Sequence, residues 1–230
     1  MDDDQAATHP PLRATTYLST RLRAPLREPV QLQPGLTEMT GPLIGEGRAR
    51  PSDADLTRWA DGEAVGQRII VAGRVVDEDG RPLRDSLVEV WQANAAGRYR
   101  HTGDRWPAPL DPHFTGLGRT ATDDEGRYSF LTVRPGAYPW RNHDNAWRPA
   151  HIHFSLFGRA FVQRLVTQMY FPGDPLLALD PIYNAVPAAA RPRLVSRYDH
   201  DLTSPEWALG YRFDIVLRGA ASTPFEDDEA

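Results

Sequence analysis

The sequence predicts a mainly β protein: a β-sandwich with long loops and an extended N-terminal arm. Three observations predict it. Short apolar runs recur between turn-forming residues from Gln67 onwards. Proline and glycine are frequent, 21 and 18 in 230 residues, which favours short elements joined by many turns. Residues 1–64 carry prolines at 10, 11, 25, 29, 34, 42 and 51 with no clear apolar period, so this arm buries little surface by itself. The expected division is an arm over 1–64, a sandwich domain over 65–222 and an acidic tail over 223–230.

Taken in chain order, SDADLTRWA (52–60) predicts one short helix, with Ser52 or Asp53 as its N-cap. RIIVAGRVVD (68–77) is a β run closed by the turn DEDGRP. SLVEVWQA (86–93) alternates Leu87, Glu89 and Trp91 against Val88 and Val90, the period of a strand. A long loop containing HTGDRWPAPLDPHFTGLG follows. YSFLTV then sits between the turn signals DDEG and RPG. AHIHFSLF, FVQRLVTQMYF and, after a proline-rich loop, YRFDIVLRG bring the total to about seven strands, a number that suits a sandwich. FEDDEA at the end is a solvated acidic tail.

Composition removes several function classes. Net charge is −5, from 26 basic and 31 acidic residues, and no Lys/Arg block stands out, so nucleic acid is not the expected partner. There is no cysteine, which excludes disulfides, thiolate metal sites and cysteine nucleophiles. No apolar run approaches the roughly 20 residues of a membrane span. MDDDQAATHPPLR is acidic and has no apolar core of the secretory kind. The expectation is a soluble, cytoplasmic protein.

The candidate chemistry lies in WRPAHIHF (147–154). On a strand, His151 and His153 point one way and Ile152 and Phe154 the other. A strand with one apolar face and one face of paired imidazoles suits a metal site, although two histidines hydrogen-bonded at a strand edge would read the same way. Tyr99, in NAAGRYRH, and Tyr138, in RPGAYPWRN, are candidates to complete such a site. Free tyrosine titrates near about 10, so a phenolate ligand needs a highly charged cation to stabilise it. A set of two imidazoles and two phenolates suits Fe(III) better than zinc. With one hydroxide that assembly is neutral, and a catecholate dianion can replace one phenolate and the hydroxide without changing the total.

Arg148, three residues before His151, is placed to stabilise an oxyanion, or to make an ordinary surface ion pair. Gln168 is a polar residue within a strand and faces either the site or solvent. Trp140 walls a pocket or packs in the core. Asp104 is a weaker candidate for orienting a ligand. His101, two residues from Tyr99, reads as an outer or surface residue, and the histidines at 9, 113, 143 and 200 lack comparable context.

WQANAAGRYRH, APLDPHFTGLGR, RPGAYPWRN and WRPAHIHFS together resemble the intradiol ring-cleavage dioxygenase family, over about Ile69 to Ala220 and weakly through YLSTRLRAP and TGPLIGEG in the arm. The resemblance is greatest to the iron-bearing β subunits of members that act on protocatechuate. It implies a prealbumin-like β-sandwich holding non-haem Fe(III) on Tyr99, Tyr138, His151 and His153 with a hydroxide. It also implies that Tyr99 stays bound while Tyr138 is displaced by substrate. Arg148 would stabilise a deprotonated intermediate, Gln168 would line the oxygen side, and Trp140, Ile182 and Tyr17 would shape the substrate pocket. The implied reaction is cleavage of protocatechuate by O2 to 3-carboxy-cis,cis-muconate. The implied partner is a homologous α subunit, in a higher αβ oligomer. Two rivals are a catechol or hydroxyquinol 1,2-dioxygenase and, in a different class, a non-catalytic prealbumin-like binding module. The first usually carries a helical N-terminal domain unlike this Pro-rich arm, and the second has no use for two tyrosines beside a His-x-His.

Overall fold

The structure, a computed structural model, describes residues 8–10, 49–140, 147–157 and 164–225. Thirteen strands occur among them: β1 (Arg58–Trp59), β2 (Gly62–Glu63), β3 (Arg68–Val76), β4 (Leu87–Trp91), β5 (Leu117–Ala121), β6 (Arg127–Val133), β7 (Tyr138–Pro139), β8 (Trp147–Arg148), β9 (His151–Phe157), β10 (Arg164–Tyr170), β11 (Arg197–Tyr198), β12 (Leu209–Arg212) and β13 (Ile215–Val216). Each of the six expected runs contains a strand. YRFDIVLRG divides into β12 and β13, which pair with successive stretches of β3.

Two sheets face each other. One has the order β10-β9-β4-β5. The other runs β11-β12-β3-β13, with β6 also paired to β3. Alternation decides what lies between them. Val88 and Val90 of β4 and Ile152, Phe154 and Leu156 of β9 turn inward, against Ile69, Val71 and Val75 of β3 and Tyr128 and Phe130 of β6. Phe154 is fully buried, with ring centroids 5.9 Å from Tyr128, 5.8 Å from Phe130 and 5.2 Å from Phe213. The sandwich core is therefore built from one face of each sheet.

The helix expected over 52–60 is not formed. A single 3₁₀ turn spans Pro51–Ala54, its N-cap is Arg50, and the chain then extends into β1. Leu56 drops into the sandwich core, and its N–H donates to the Leu131 carbonyl at 2.8 Å. Tertiary burial of Leu56 and backbone pairing override a weak local helix signal. Near the other end the chain stays docked to Phe225. The Thr167 hydroxyl donates to the Pro224 carbonyl at 2.7 Å, and His9 stacks on Phe225 at 4.4 Å.

No helix among the described residues is long and apolar enough to cross a membrane. A short helix α1 (Pro181–Ala185) follows a 3₁₀ turn at Pro175–Leu179. Asp180 is its N-cap and Pro181 its first residue, the usual order at a helix start.

Candidate metal centre

The candidate site lies on the outer face of the β10-β9-β4-β5 sheet, away from the sandwich core. Because Ile152 and Phe154 face the core, His151 and His153 face outward on β9, as strand alternation requires. Register brings two neighbours beside them. Gln168 lies opposite His153 and Tyr170 opposite His151 on antiparallel β10, so these side chains share that face. On the other side, Trp91 of β4 lies opposite His153 and stacks flat on it, with centroids 4.7 Å apart and planes 5° apart. His151, His153 and Gln168 are all buried.

Loops roof this face and bring in the tyrosines. The rings of Tyr99 and Tyr138 meet edge to face at 5.4 Å. The Tyr138 hydroxyl lies 3.3 Å from His151 Nε2, and the Tyr99 hydroxyl oxygen is shielded from solvent. Tyr138 itself starts β7, which pairs with β8 so that Tyr138 lies opposite Arg148. Asp104 accepts the Tyr99 N–H at 2.8 Å and the Trp106 N–H at 2.8 Å, which fixes the backbone of the Tyr99 loop.

Two glycines allow the tyrosine loops to meet. Gly97 has φ +75°, and a Cβ there would lie 2.2 Å from the Ala137 carbonyl oxygen. A Cβ on Gly136 would lie 2.5 Å from the Ala95 oxygen and 2.6 Å from the Gly97 nitrogen. The loops thus run backbone against backbone, at a distance only glycine permits. Gly97→Ala is expected to cost about 2 kcal/mol or more of stability, from backbone strain plus the clash. It should also separate Tyr99 from Tyr138. Thermal melts and iron content check this, and unchanged values for both would remove the glycine argument.

The electrostatics suit a cation. His151 Nδ1 lies 2.7 Å from the Pro149 carbonyl oxygen. That contact requires an N–H at Nδ1 and leaves the lone pair on Nε2, the atom facing Tyr138. Burial, then Arg148 and His153, hold the His151 pKa well below the usual histidine range, so the imidazole is neutral at physiological pH. Burial of the Tyr138 hydroxyl raises its pKa, and the Arg148 charge opposes that rise. Without a metal, Tyr138 is therefore a phenol. Among the described residues no group of three or more His, Cys, Asp or Glu is placed to hold a metal, and the oxygens nearest the two imidazoles on this face include the Tyr138 hydroxyl. Two imidazole nitrogens and two phenol oxygens form a donor set that fits a hard trivalent cation.

Arg148 is not a surface residue. It is buried, its guanidinium carbon lies 5.4 Å above the Trp140 ring, and its Nη1 lies 3.3 Å from His151 Nε2. Its Nη2 donates to Gln168 Oε1 at 2.6 Å and to the Tyr170 hydroxyl at 3.1 Å. Gln168 thus faces the site and not solvent. Ile182 is on α1, and its N–H donates to Asp180 at 2.8 Å. Tyr17 and His143 lie outside the described residues. His101 is exposed and accepts the Gly103 N–H at 3.0 Å, apart from this cluster.

Sequence reasoning did not find Trp91, Tyr170 or Asp180. Alternation along Val166–Tyr170 puts Tyr170 on the Gln168 face, so one signal for it was present. Asp-Pro in LDPIYN marks a helix start but says nothing of Arg148.

Comparison with known proteins agrees with this architecture. A family model described as Dioxygenase matches residues 39–219, and the chain belongs to the intradiol dioxygenase family. It is 58% identical over 221 residues to the protocatechuate 3,4-dioxygenase beta chain of Burkholderia cepacia, covering 95% of this chain and 94% of that one. It is 33% identical over 211 residues to the protocatechuate 3,4-dioxygenase alpha chain of Pseudomonas putida, covering 86% of this chain and 99% of that one. The crystal structure of 3-chlorocatechol 1,2-dioxygenase from Rhodococcus opacus 1CP shares the fold with a TM-score of 0.56 and 26% identity, over 77% of this chain and 69% of that one.

Proposed function

We propose that this chain is the iron-bearing β subunit of a protocatechuate 3,4-dioxygenase. It would cleave protocatechuate with O2 to 3-carboxy-cis,cis-muconate, beside a homologous α subunit in an αβ oligomer. The observation that carries the reading is the 58% identity to a beta chain across nearly the whole length, against 33% to an alpha chain. The clustering of Tyr99, Tyr138, His151 and His153 supports it independently. A cytoplasmic setting belongs to the same reading, since a cysteine-free chain needs no oxidising compartment to fold.

Tyr99, Tyr138, His151 and His153 would hold non-haem Fe(III), which draws electron density from a chelated catechol and prepares the ring for O2. The chain's own residues do the rest. Tyr138, whose hydroxyl lies beside His151 Nε2, would serve as the base for the substrate, taking one catechol proton at Oη. Tyr99, braced through its backbone by Asp104, would be the phenol that keeps its place. Arg148 would face this chemistry from a buried position, where a fixed positive charge stabilises a developing anion far more than it does in water. Gln168 and Trp140 line the Arg148 side, Ile182 lines the side of α1, and Tyr17 is retained as a candidate on sequence alone.

The test is co-expression with and without an α subunit, followed by a visible spectrum and assays on protocatechuate, catechol and hydroxyquinol. The expected result is a coloured, iron-bearing protein that consumes O2 and forms 3-carboxymuconate in preference to the other products. Faster turnover of catechol or hydroxyquinol would move the chain to a 1,2-dioxygenase. A folded, iron-free, inactive protein under both conditions would leave only the binding-module reading.

A further inference from the structure

We propose that Asp180 is the positioning residue for Arg148, and that one carboxylate sets both the reaction-side arginine and the helix that carries Ile182. This rests on the functional reading above and deepens it.

The Arg148 and Asp180 side chains are 3% and 0% exposed. Asp180 Oδ2 accepts from Arg148 Nε at 3.2 Å and from Nη2 at 2.9 Å. A guanidinium is planar, so holding Nε and Nη2 also fixes the direction of Nη1. That direction is towards His151 Nε2, 3.3 Å away. Gln168 Oε1 and the Tyr170 hydroxyl, themselves joined at 2.8 Å, hold Nη2 from the other side. A long side chain with many rotamers is left with one arrangement.

Asp180 Oδ1 faces the other way. It accepts the N–H of Ile182 at 2.8 Å and of Tyr183 at 3.4 Å, the first turn of α1. Asp174 pins the start of the same loop, accepting Leu176 N–H at 3.0 Å and Ala150 N–H at 3.1 Å. The loop from Asp174 to Asp180, which leads into the helix of Ile182, is thus tied at both ends to residues just before His151. Charge gives a second reason for an acid here. A buried arginine beside neutral His151 needs a counter-ion, and Asp180 is the buried carboxylate that supplies it.

The bland alternative is that Asp180 is only a helix cap. Asparagine caps a helix as well as aspartate does, but offers Arg148 no charge. Asp180→Asn therefore removes the arginine contact and keeps the cap. In the co-expressed holoenzyme it is expected to lower kcat about 10- to 100-fold, the range for losing a partner that orients a catalytic group. KM should stay within about threefold, because the loss is confined to the transition state. Iron content and the visible band should be unchanged.

The same substitution is then made with Arg148→Gln. There is no guanidinium left to position, so the further loss in kcat should be below about threefold. An equal loss in both backgrounds, or a single variant within about twofold of the parent, overturns the proposal. Melting of the metal-free chains is the second readout. If Asp180→Asn alone does not fold, a folded Arg148→Gln/Asp180→Asn double variant supports the pairing. A double variant that is also unfolded overturns it, because Asp180 then serves the fold without Arg148. A parent lacking iron and turnover would defeat the functional reading instead, and the melts would still report on the pair.

Discussion

His151→Asn is expected to give a folded but colourless chain with little bound iron and turnover lowered by about 10³-fold or more, beyond the 10- to 100-fold typical of losing an outer-sphere partner. The reason is local. His151 is buried, its Nδ1 is committed to the Pro149 carbonyl, and its Nε2 lone pair faces Tyr138. Asparagine is shorter and cannot present a nitrogen lone pair at that point. The core side of β9 is untouched, because Ile152 and Phe154 face the other way. Circular dichroism should therefore match the parent while metal analysis does not. Iron bound at parental stoichiometry in His151→Asn would mean that the metal sits elsewhere.

Arg148→Lys should behave differently. Iron and its colour are expected to persist, while kcat falls about 10²-fold, the scale of losing one fixed donor aimed at a developing anion. Lysine keeps the charge but loses the planar fork. It cannot at once reach Asp180, Gln168, Tyr170 and the Nη1 position beside His151, which Arg148 does through Nε, Nη1 and Nη2. Single-turnover measurements separate the steps. Substrate chelation, read from the visible spectrum, should proceed nearly as in the parent, and product formation should be slow. Parental kcat in the lysine variant would show that charge alone suffices and that the fork has no role.

Much of the site was legible before any fold was known. Two local signals carried it. The alternation of His151 and His153 against Ile152 and Phe154 is a property of an extended backbone and holds wherever the strand lies. A glycine lies two residues before each tyrosine, in NAAGRY and RPGAY, and the chain turns at Asn94–Gly97, where the Gly97 N–H donates to the Asn94 carbonyl. The weak element was SDADLTRWA. Its cap residues are real signals, but a nine-residue helix is marginal by itself, and burial of Leu56 against β5 and β6 decides the matter. Gln168 shows the opposite limit. A lone glutamine in a strand is ambiguous until its partner strand is known, and pairing with His153 then determines its face.

Local chemistry along the chain was enough to specify a cysteine-free β-sandwich and the pair of imidazoles on one strand face, and to mark two tyrosines as candidates to join them. These follow from alternation, turn residues and the acid–base character of single side chains, none of which needs distant partners. What only the folded chain decided is who stands next to whom. Trp91 lies over His153 because β4 pairs with β9, and Tyr170 lies beside His151 because β10 does. Arg148 turns inward because Asp180, 32 residues away, compensates its charge where both side chains are buried. Such contacts depend on strand register and on the desolvation of charges, both properties of the whole assembly of strands and loops, and no short window of sequence contains them.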